Sequence, residues 1–268
     1  MSKTEVISQE IKNFSGNDSN TVIAKHIKES YPDVFKDTQL DTIRKRVGEL
    51  RGKEKIPSAT KSTIEMVDCG DFLIGKYPVT QKQYEEVMGN NPSYFKGPNR
   101  PVESVSWYDA VEFCNKLSEK EGLQKVYSGY GFSTKCDFTA NGYRLATANE
   151  WKFASEGGYK GKGYKYSGGD YIDKVAWYED NSENQTQEVG TKQPNELGIY
   201  DMTGNVWEWC WDILHRRYRA SMGRGWNATA YECEFSCNPH PGTFLANLPN
   251  TKSSNYGFRV VRSKTKGD

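Results

Sequence analysis

The sequence lacks any run of about 18 apolar residues, the length that a membrane-spanning helix needs. Its N-terminal segment also lacks the apolar stretch of a secretory signal peptide. We therefore expect no contact with a membrane and no export. These absences predict a cytoplasmic or phage-associated protein.

The chain has no excess of charge of one sign. Its 36 Lys and Arg residues are balanced by 35 Asp and Glu residues, so the formal net charge is +1. Such a chain exerts no overall attraction on nucleic acids or on anionic membranes. A partner of either kind would need a local basic patch.

Cysteine and histidine are scarce and scattered. The six cysteines include no C-x-x-C pair, which excludes a zinc knuckle and a thioredoxin-type redox motif. They are Cys69, Cys114, Cys136, Cys210, Cys233 and Cys237. We expect buried thiols, because disulfides form in oxidising compartments. The three histidines, His26, His215 and His240, assemble into neither a Ser-His-Asp order nor a general acid-base pair.

Aromatic residues and glycine are the abundant types. Among 268 residues the hydrophobic fraction is only 35%, yet aromatics make up 13% and there are 25 glycines. Large rings packed against irregular backbone account for this combination better than a Leu-rich and Ala-rich helical bundle does. The composition therefore predicts a loop-rich fold with a real hydrophobic core.

Residues 1–55 predict a small helical module, because their apolar residues recur at helical spacing. Its third helix begins near Asp37 and is followed by Gly52. The basic residues of this helix are Arg44, Lys45, Arg46 and Arg51. Two interpretations stand: a helix-turn-helix that docks this helix on DNA, or an amphipathic helix that is solvated or binds a protein. Residues 56–62 are typical of a linker.

The chain from residue 63 to residue 268 predicts an α+β domain. We predict strands at Phe72–Gly75 and Gly257–Val261, and helices at Gln81–Met88 and Trp107–Lys120. Residues 157–200 are rich in Gly, Tyr, Asn and Asp and have little regular pattern. A long irregular stretch in a compact domain usually serves a site or is held by an ion.

Five separated segments follow one another in the order found in one protein family. They are Tyr77-Pro-Val-Thr-Gln-Lys-Gln-Tyr84, Pro101-Val-Glu-Ser-Val-Ser-Trp107-Tyr-Asp-Ala110, Tyr143-Arg-Leu-Ala-Thr-Ala-Asn-Glu-Trp151, Asn195-Glu-Leu-Gly-Ile-Tyr-Asp-Met-Thr-Gly-Asn-Val-Trp-Glu-Trp209 and Gly257-Phe-Arg259. Residues 63–263 therefore resemble the formylglycine-generating enzyme (sulfatase-modifying factor) domain, a variant of the C-type lectin fold. We expect the motif residues Trp107, Trp151, Trp207 and Trp209 to supply core area.

The fourth segment contains a candidate calcium site. The resemblance implies a calcium ion bound by the side chains of Asp201 and Glu208 and by the carbonyls of Gly204 and Val206. Oxygen ligands of this kind suit a hard cation. The alternative is that Asp201 caps a turn and Glu208 pairs with an arginine such as Arg259.

The resemblance also raises the question of copper. In formylglycine-generating enzymes two cysteines five residues apart bind copper for an oxygen-dependent oxidation. Aligning Gly223-Arg-Gly-Trp226 with the glycine turn of the family places Ala228 and Cys233 at these two positions. One thiolate does not make such a site, so we expect no copper and no oxidase activity. The alternative is a copper-dependent oxidase with a displaced thiol pair, Cys233 and Cys237.

The same segment resembles the variable proteins of diversity-generating retroelements more closely. Their mutable region runs from a glycine turn and a Trp, through substituted asparagine codons and a Cys, to Gly-Phe-Arg. This chain keeps the spacing from Trp226 to Cys233. Mutagenesis of the adenines in an asparagine codon that ends in C yields no Lys, Glu, Gln, Met or Trp, and none occurs over residues 235–251. The alternative is an ordinary long loop rich in Pro and Asn.

This resemblance predicts a variable segment over about residues 223–255 whose side chains point outward from a rigid scaffold. The candidate ligand-binding residues are Asn227, Ala228, Thr229, Tyr231, Phe235, His240, Thr243, Phe244 and Leu245. Mixed aromatic and polar side chains are typical of protein-binding surfaces, although core packing is the alternative for the two phenylalanines.

We therefore predict a non-enzymatic protein whose diversified surface binds a protein or another macromolecule. The open alternatives are the copper-dependent oxidase and a DNA-binding regulator whose lectin-type domain senses a ligand.

Overall fold

The structure, a computed structural model, describes residues 2–11, 20–53, 64–215, 217–237 and 245–264. By its internal contacts the chain divides into two compact units. The first comprises Met1–Ser62 with Glu121–Leu123, and the second comprises Thr63–Lys120 with Gln124–Asp268. The linker predicted at residues 56–62 lies outside the described residues.

The first unit is helical. Its helices are α1 (Lys3–Ile11), α2 (Asn20–Ser30) and α3 (Leu40–Lys53). Buried aliphatic side chains of the helices, among them Ile7, Ile27 and Ile43, meet in one apolar cluster. These are the helices that the apolar spacing predicts. However, α3 continues through Gly52, which we predicted to follow it.

The second unit combines short helices with short strands. Its helices are α4 (Gln81–Met88), α5 (Trp107–Lys120), α6 (Ala148–Ser155), α7 (Ile172–Val175) and α8 (Ala230–Cys233). Its strands are β1 (Met66–Asp68), β2 (Phe72–Gly75), β3 (Tyr127–Ser128), β4 (Lys135–Cys136), β5 (Tyr143–Leu145), β6 (Trp207–Leu214), β7 (Tyr218–Met222), β8 (Leu245–Asn247), β9 (Tyr256–Gly257) and β10 (Val260–Ser263). Short 3₁₀ helices lie at Gly131–Ser133, Gly158–Lys160 and Phe235–Cys237. The predictions of α4, α5 and β2 are confirmed.

The described strands form two four-stranded sheets and a two-stranded ribbon of β3 and β4. The first sheet has the order β1-β2-β10-β5 and is antiparallel, with Val261 opposite Ile74. The second has the order β8-β7-β6-β9, and β6 pairs antiparallel with β7 and parallel with β9.

The prediction of one strand over Gly257–Val261 is wrong. β9 ends at Gly257 beside β6, whereas β10 begins at Val260 beside β2 and β5. The chain changes sheets at Phe258 and Arg259, whose side chains are both buried. The two halves of the segment pair with different strands, so it is not one strand.

Three of the sequence motifs contain the start of a helix, and two of these helices begin with a capping box. Thr80 caps α4 in a capping box with Gln83, and Thr147 caps α6 in a capping box with Glu150. Glu150 also holds the buried guanidinium of Arg144 through hydrogen bonds of 2.7 and 2.6 Å. These motif residues therefore hold the scaffold in place.

The four tryptophans expected in the core are buried. Trp107, Trp151, Trp207 and Trp209 are all less than a tenth exposed. The Trp107 indole N–H donates to the carbonyl of Cys210 at 2.9 Å, so its polar atom is satisfied as well. The prediction that these rings build the scaffold is confirmed.

Candidate ligand-binding surface

The segment with the predicted variable positions contains the short helix α8. Thr229 caps this helix: its hydroxyl accepts from the backbone N–H of Glu232 and donates to the Glu232 carboxylate at 2.9 Å. The hydrogen bonds that the Glu232 carboxylate accepts from the backbone and the side chain of Thr229 lower the pKa of this carboxyl. The Thr229 hydroxyl is therefore already engaged in capping α8, although the residue is exposed.

Backbone hydrogen bonds on either side of α8 attach this segment to the irregular stretch at residues 157–200. The Glu179 N–H donates to the carbonyl of Ala228, and the Phe235 N–H donates to the carbonyl of Lys165, both at 2.9 Å. The irregular stretch thus forms one wall of the surface. The expectation that this irregular stretch serves a site stays a prediction.

The predicted ligand-binding residues differ in exposure. Asn227, Thr229 and Tyr231 are exposed, and Tyr231 presents 73% of its surface to solvent. Phe235 is half-buried and lines a cavity. Leu245 begins β8, and its side chain lies outside what the structure describes. The predicted residues His240, Thr243 and Phe244 also lie outside the described residues.

Ala228 does not point outward, so its assignment to the surface is wrong. The residue is only 6% exposed and packs in an apolar cluster with Tyr166, Val175 and Cys233. Its methyl group fits this interior because the turn before α8 directs it toward the irregular stretch. Ala228 therefore supports the surface from beneath.

The same cluster bears on copper. It contains Ala228 and Cys233, the two positions at which the family resemblance places copper-binding thiols. The side chain at the first position is a methyl group, and the thiol at the second position, Cys233, is buried. The Cys237 side chain lies outside what the structure describes. Ala228 and Cys233 therefore do not supply the two thiolates of such a copper site.

A cavity of about 320 Å³ adjoins this segment. Four glycines line it, together with Glu156, Glu196, Tyr164, Tyr166 and Phe235. A second cavity of about 210 Å³ shares Tyr164 with the first. Of these residues only Phe235 was predicted from the sequence to bind a ligand. Most of the others lie in the irregular stretch rich in Gly and Tyr. Its composition does not predict which of its side chains lie next to the same cavity.

The fourth and fifth motifs meet in a buried ion pair. Arg259 donates to both carboxylate oxygens of Glu208, at 2.6 and 2.7 Å, and both side chains are almost completely buried. The remaining N–H groups of Arg259 donate to backbone carbonyls, including that of Gly75 at 3.0 Å. The Trp151 indole donates to Glu208 at 2.6 Å. This network joins distant parts of the domain.

The ion pair bears on the predicted calcium site of Asp201, Gly204, Val206 and Glu208. Both oxygens of Glu208 already accept hydrogen bonds, and Asp201 Oδ2 accepts one from the Gly190 N–H at 2.7 Å. Burial raises the pKa of the Asp201 carboxyl to about 6, which lowers its negative charge near that pH. As arranged, these residues do not fit a calcium ion, and the alternative of a Glu208–Arg259 pair describes them better.

The basic residues of the first unit are partly neutralised within α3. Arg44 lies 3.2 Å from Asp41, and Arg46 lies 2.8 Å from Glu49. Lys45 is exposed, and the side chain of Arg51 lies outside what the structure describes. DNA binding by this helix stays a prediction.

None of the described helices has both the length and the hydropathy that crossing a membrane requires.

Residues 35–264 match the sulfatase-modifying factor enzyme 1-like domain. The chain belongs to this family. The match begins within the first unit and extends to the end of β10, so it includes both the ion pair and the segment around α8.

Relatives in this family have different functions. The chain is 42% identical to the "Chaperone protein LppX" of Paenibacillus barcinonensis, over 74% of this chain and 82% of that protein. It is 27% identical to the "Inactive C-alpha-formylglycine-generating enzyme 2" of Bos taurus, over 70% of this chain but only 59% of that protein.

A solved structure confirms the fold. "Treponema denticola variable protein 1" superimposes with a TM-score of 0.64 at 30% identity, covering 76% of this chain and 93% of that chain. The prediction of a loop-rich α+β fold of the formylglycine-generating enzyme and C-type lectin type is thereby confirmed.

Proposed function

We propose that this protein is a non-enzymatic ligand-binding protein whose surface around residues 223–255 is diversified by a retroelement. The observation that carries the proposal is the placement of Asn227, Tyr231 and Phe235. These side chains are exposed or line a cavity, on a backbone that is hydrogen-bonded to the irregular stretch on either side of α8. A rigid support with tyrosine and small polar side chains is the usual composition of a protein-binding surface.

The chemistry of the two key positions supports a non-enzymatic role. An oxidase of this family needs two thiolates, and this chain offers Ala228 and a buried Cys233.

The relatives support the same class of function. One structural neighbour is named a variable protein, one relative is named a chaperone, and another is named inactive. Variable proteins and chaperones both bind other macromolecules. We propose that the partner of this chain is a protein or another macromolecule, and that the protein acts in the cytoplasm or with a phage. Attachment of DNA or a protein to the first unit is the additional role proposed for α3.

We expect sequences of this segment from related isolates to differ mainly at adenine-derived asparagine codons between residues 227 and 245. The buried Ala228 should vary less than the exposed Asn227 and Tyr231, because a larger side chain would disturb the apolar cluster. Glu232 and Glu234 cannot come from an asparagine codon ending in C, so they should stay constant. Substitutions scattered evenly over the domain would refute diversification.

We expect copper(I) titration against a chelator to reveal no tight site that depends on cysteine. The wild-type protein and the Cys233→Ser and Cys237→Ser variants should give the same titration curve, because a second thiolate is missing. Circular dichroism checks that each variant is folded. Tight binding that either substitution abolishes would establish the oxidase-like site and overturn the non-enzymatic proposal.

A further inference from the structure

Residues 157–165 form a basic segment in a chain whose charge is balanced overall. The segment consists of four glycines, two tyrosines and three lysines, and it has no acidic residue. Lys160 and Lys162 are exposed, and neither forms an ion pair with another described residue. Lys165 lies 3.8 Å from Glu234. A local basic segment attracts phosphate groups even where the net charge of the whole chain is close to zero.

Exposed tyrosine rings lie among and next to these lysines. Tyr159 is 84% exposed and Tyr171 is 74% exposed. The ring of Tyr159 packs against that of Phe153 with the centroids 4.9 Å apart, so it is held in place while most of its surface is open to solvent. Aromatic rings of this kind, alternating with cations, are what the bases of single-stranded nucleic acids stack on.

A tight turn brings two of the tyrosines to one cavity. Tyr166 and Gly169 exchange backbone hydrogen bonds of 3.1 and 3.3 Å, so the chain runs back alongside itself. Tyr164 and Tyr171, on either side of this turn, both line the cavity of about 210 Å³. Pockets that enclose whole drug-sized ligands measure about 300–1,000 Å³. The smaller volume therefore suits one ring system, such as a single base.

The polar side chains of this cavity suit the edge of a base. Asp170 and Gln193 line it and are exposed. One oxygen of Asp170 accepts the Lys165 N–H at 2.9 Å, which leaves the other oxygen to a ligand. A carboxylate accepts from the amino groups of bases, and a glutamine amide both donates and accepts. An acidic protein segment would instead be repelled by Asp170.

Each of the two tyrosines of this cavity has an ammonium group beside its ring. The Lys162 Nζ lies 5.8 Å from the ring centroid of Tyr164, and the Lys174 Nζ lies 5.5 Å from that of Tyr171. Cations in these places are close to the phosphates of any nucleotide whose base stacks on the rings. Aromatic faces and positive charges therefore occur together here, as single-stranded nucleic acid requires.

We propose that residues 157–174 bind a single strand of nucleic acid, with one base in the cavity that Tyr164 and Tyr171 line and another on Tyr159. The lysines hold the sugar-phosphate chain, and stacking accepts every type of base. The bases of a duplex are paired and stacked inside, so they cannot reach these rings. The described residues that line the cavity lie between residues 164 and 193. The site is thus separate from α3 and from residues 223–255, and the inference goes beyond the proposed function.

The test uses the full-length protein and fluorescein-labelled single-stranded DNA and RNA of one mixed sequence, about 12 nucleotides long. Fluorescence anisotropy at about 50 mM salt measures binding. We expect a single strand to bind at least about tenfold more tightly than a hairpin duplex of the same sequence, because only its bases are free to stack. The tighter of the two single strands shows whether the site takes DNA or RNA.

Variants locate the binding. Tyr159→Ala and Tyr171→Ala should each weaken binding of the single strand by about fivefold or more, because one base loses its stacking partner. Lys162→Gln should also weaken it, and the slope of log K against log salt concentration should become less steep by about 0.7. Tyr130→Ala, at a tyrosine that is 92% exposed elsewhere, and Lys45→Gln on α3 are the matched controls and should change nothing.

Three results would overturn the assignment. They are no binding of either single strand, equal binding of the duplex, and binding that Lys45→Gln weakens while Tyr171→Ala does not. Polyglutamate that competes as well as an unlabelled single strand would likewise show that the segment attracts any polyanion. The exposed variants should melt at the wild-type temperature, which excludes misfolding as the cause of a loss. The isolate and copper tests do not involve these residues, so a failure here leaves the proposed function standing.

Discussion

Replacing Arg259 by Ala should lower the free energy of unfolding by about 3–5 kcal/mol, because it leaves the buried Glu208 carboxylate without its ion-pair partner. The carbonyls of Gly75 and Tyr200 would lose their donors in the same step. Urea denaturation followed by tryptophan fluorescence measures the effect. The loss is large relative to the total stability of a typical domain, so much of the protein should be unfolded at 37 °C.

A surface ion pair provides the matched control. Lys116 lies 2.7 Å from Glu112 on α5, and both side chains are about half exposed. Lys116→Ala should cost less than about 1 kcal/mol, because solvent screens an exposed pair. An Arg259→Ala variant no less stable than Lys116→Ala would show that the buried network does not hold the domain together.

The same denaturation experiment tests the calcium prediction. We expect millimolar calcium to leave the unfolding midpoint of the wild-type protein unchanged, since the oxygens of Glu208 accept from Arg259 and Trp151. A midpoint that rises with calcium, and ceases to rise in Glu208→Gln, would assign the ion to this site after all.

Gly204→Ala should destabilise the domain by about 3 kcal/mol or more. Gly204 has a φ of +78°, and a Cβ atom there would overlap the carbonyl oxygen of Trp177. That carbonyl accepts a hydrogen bond from the N–H of Asn205 at 2.8 Å, so a shift of the carbonyl away from the new Cβ atom would weaken this bond. Two penalties therefore add, the strained backbone and the steric overlap. The midpoint of urea denaturation reports their sum.

Gly89 separates the two penalties. It follows α4 with a φ of +79°, and nothing lies within 4 Å of the position of its Cβ atom. Gly89→Ala carries only the backbone strain, so we expect a cost of about 1 kcal/mol. Equal losses for the two variants would mean that the contact with Trp177 relaxes freely, contrary to the close approach in the structure.

Much of the scaffold could be predicted because its signals are local. Capping residues such as Thr80 and periodic apolar positions define α4 and α5 within a few residues of sequence. The prediction of a single strand over Gly257–Val261 was wrong for a non-local reason. Its apolar character is the same whether the chain continues in one sheet or crosses between two, and only the pairing partners distinguish these cases.

The candidate site could be predicted only in part. Tyr231 and Asn227 are exposed as expected, whereas Ala228 faces inward. In an irregular segment no periodic pattern tells the direction of a side chain, because each residue has its own backbone angles. Glu196 lies within one of the family motifs, yet nothing in the motif marks it as a residue of a cavity.

The order of motifs along the chain was enough to establish the family and the fold, since each motif encodes a local element or a core aromatic. The absence of the first of the two family thiols, at residue 228, could likewise be predicted from the motif spacing, because a missing ligand type is visible without geometry. The partner of Glu208 and the convergence of Glu196, Tyr164 and Phe235 depended on folding. Contacts between residues tens of positions apart form only when the loops pack over the core. The separation of two residues along the sequence does not predict whether they will be in contact.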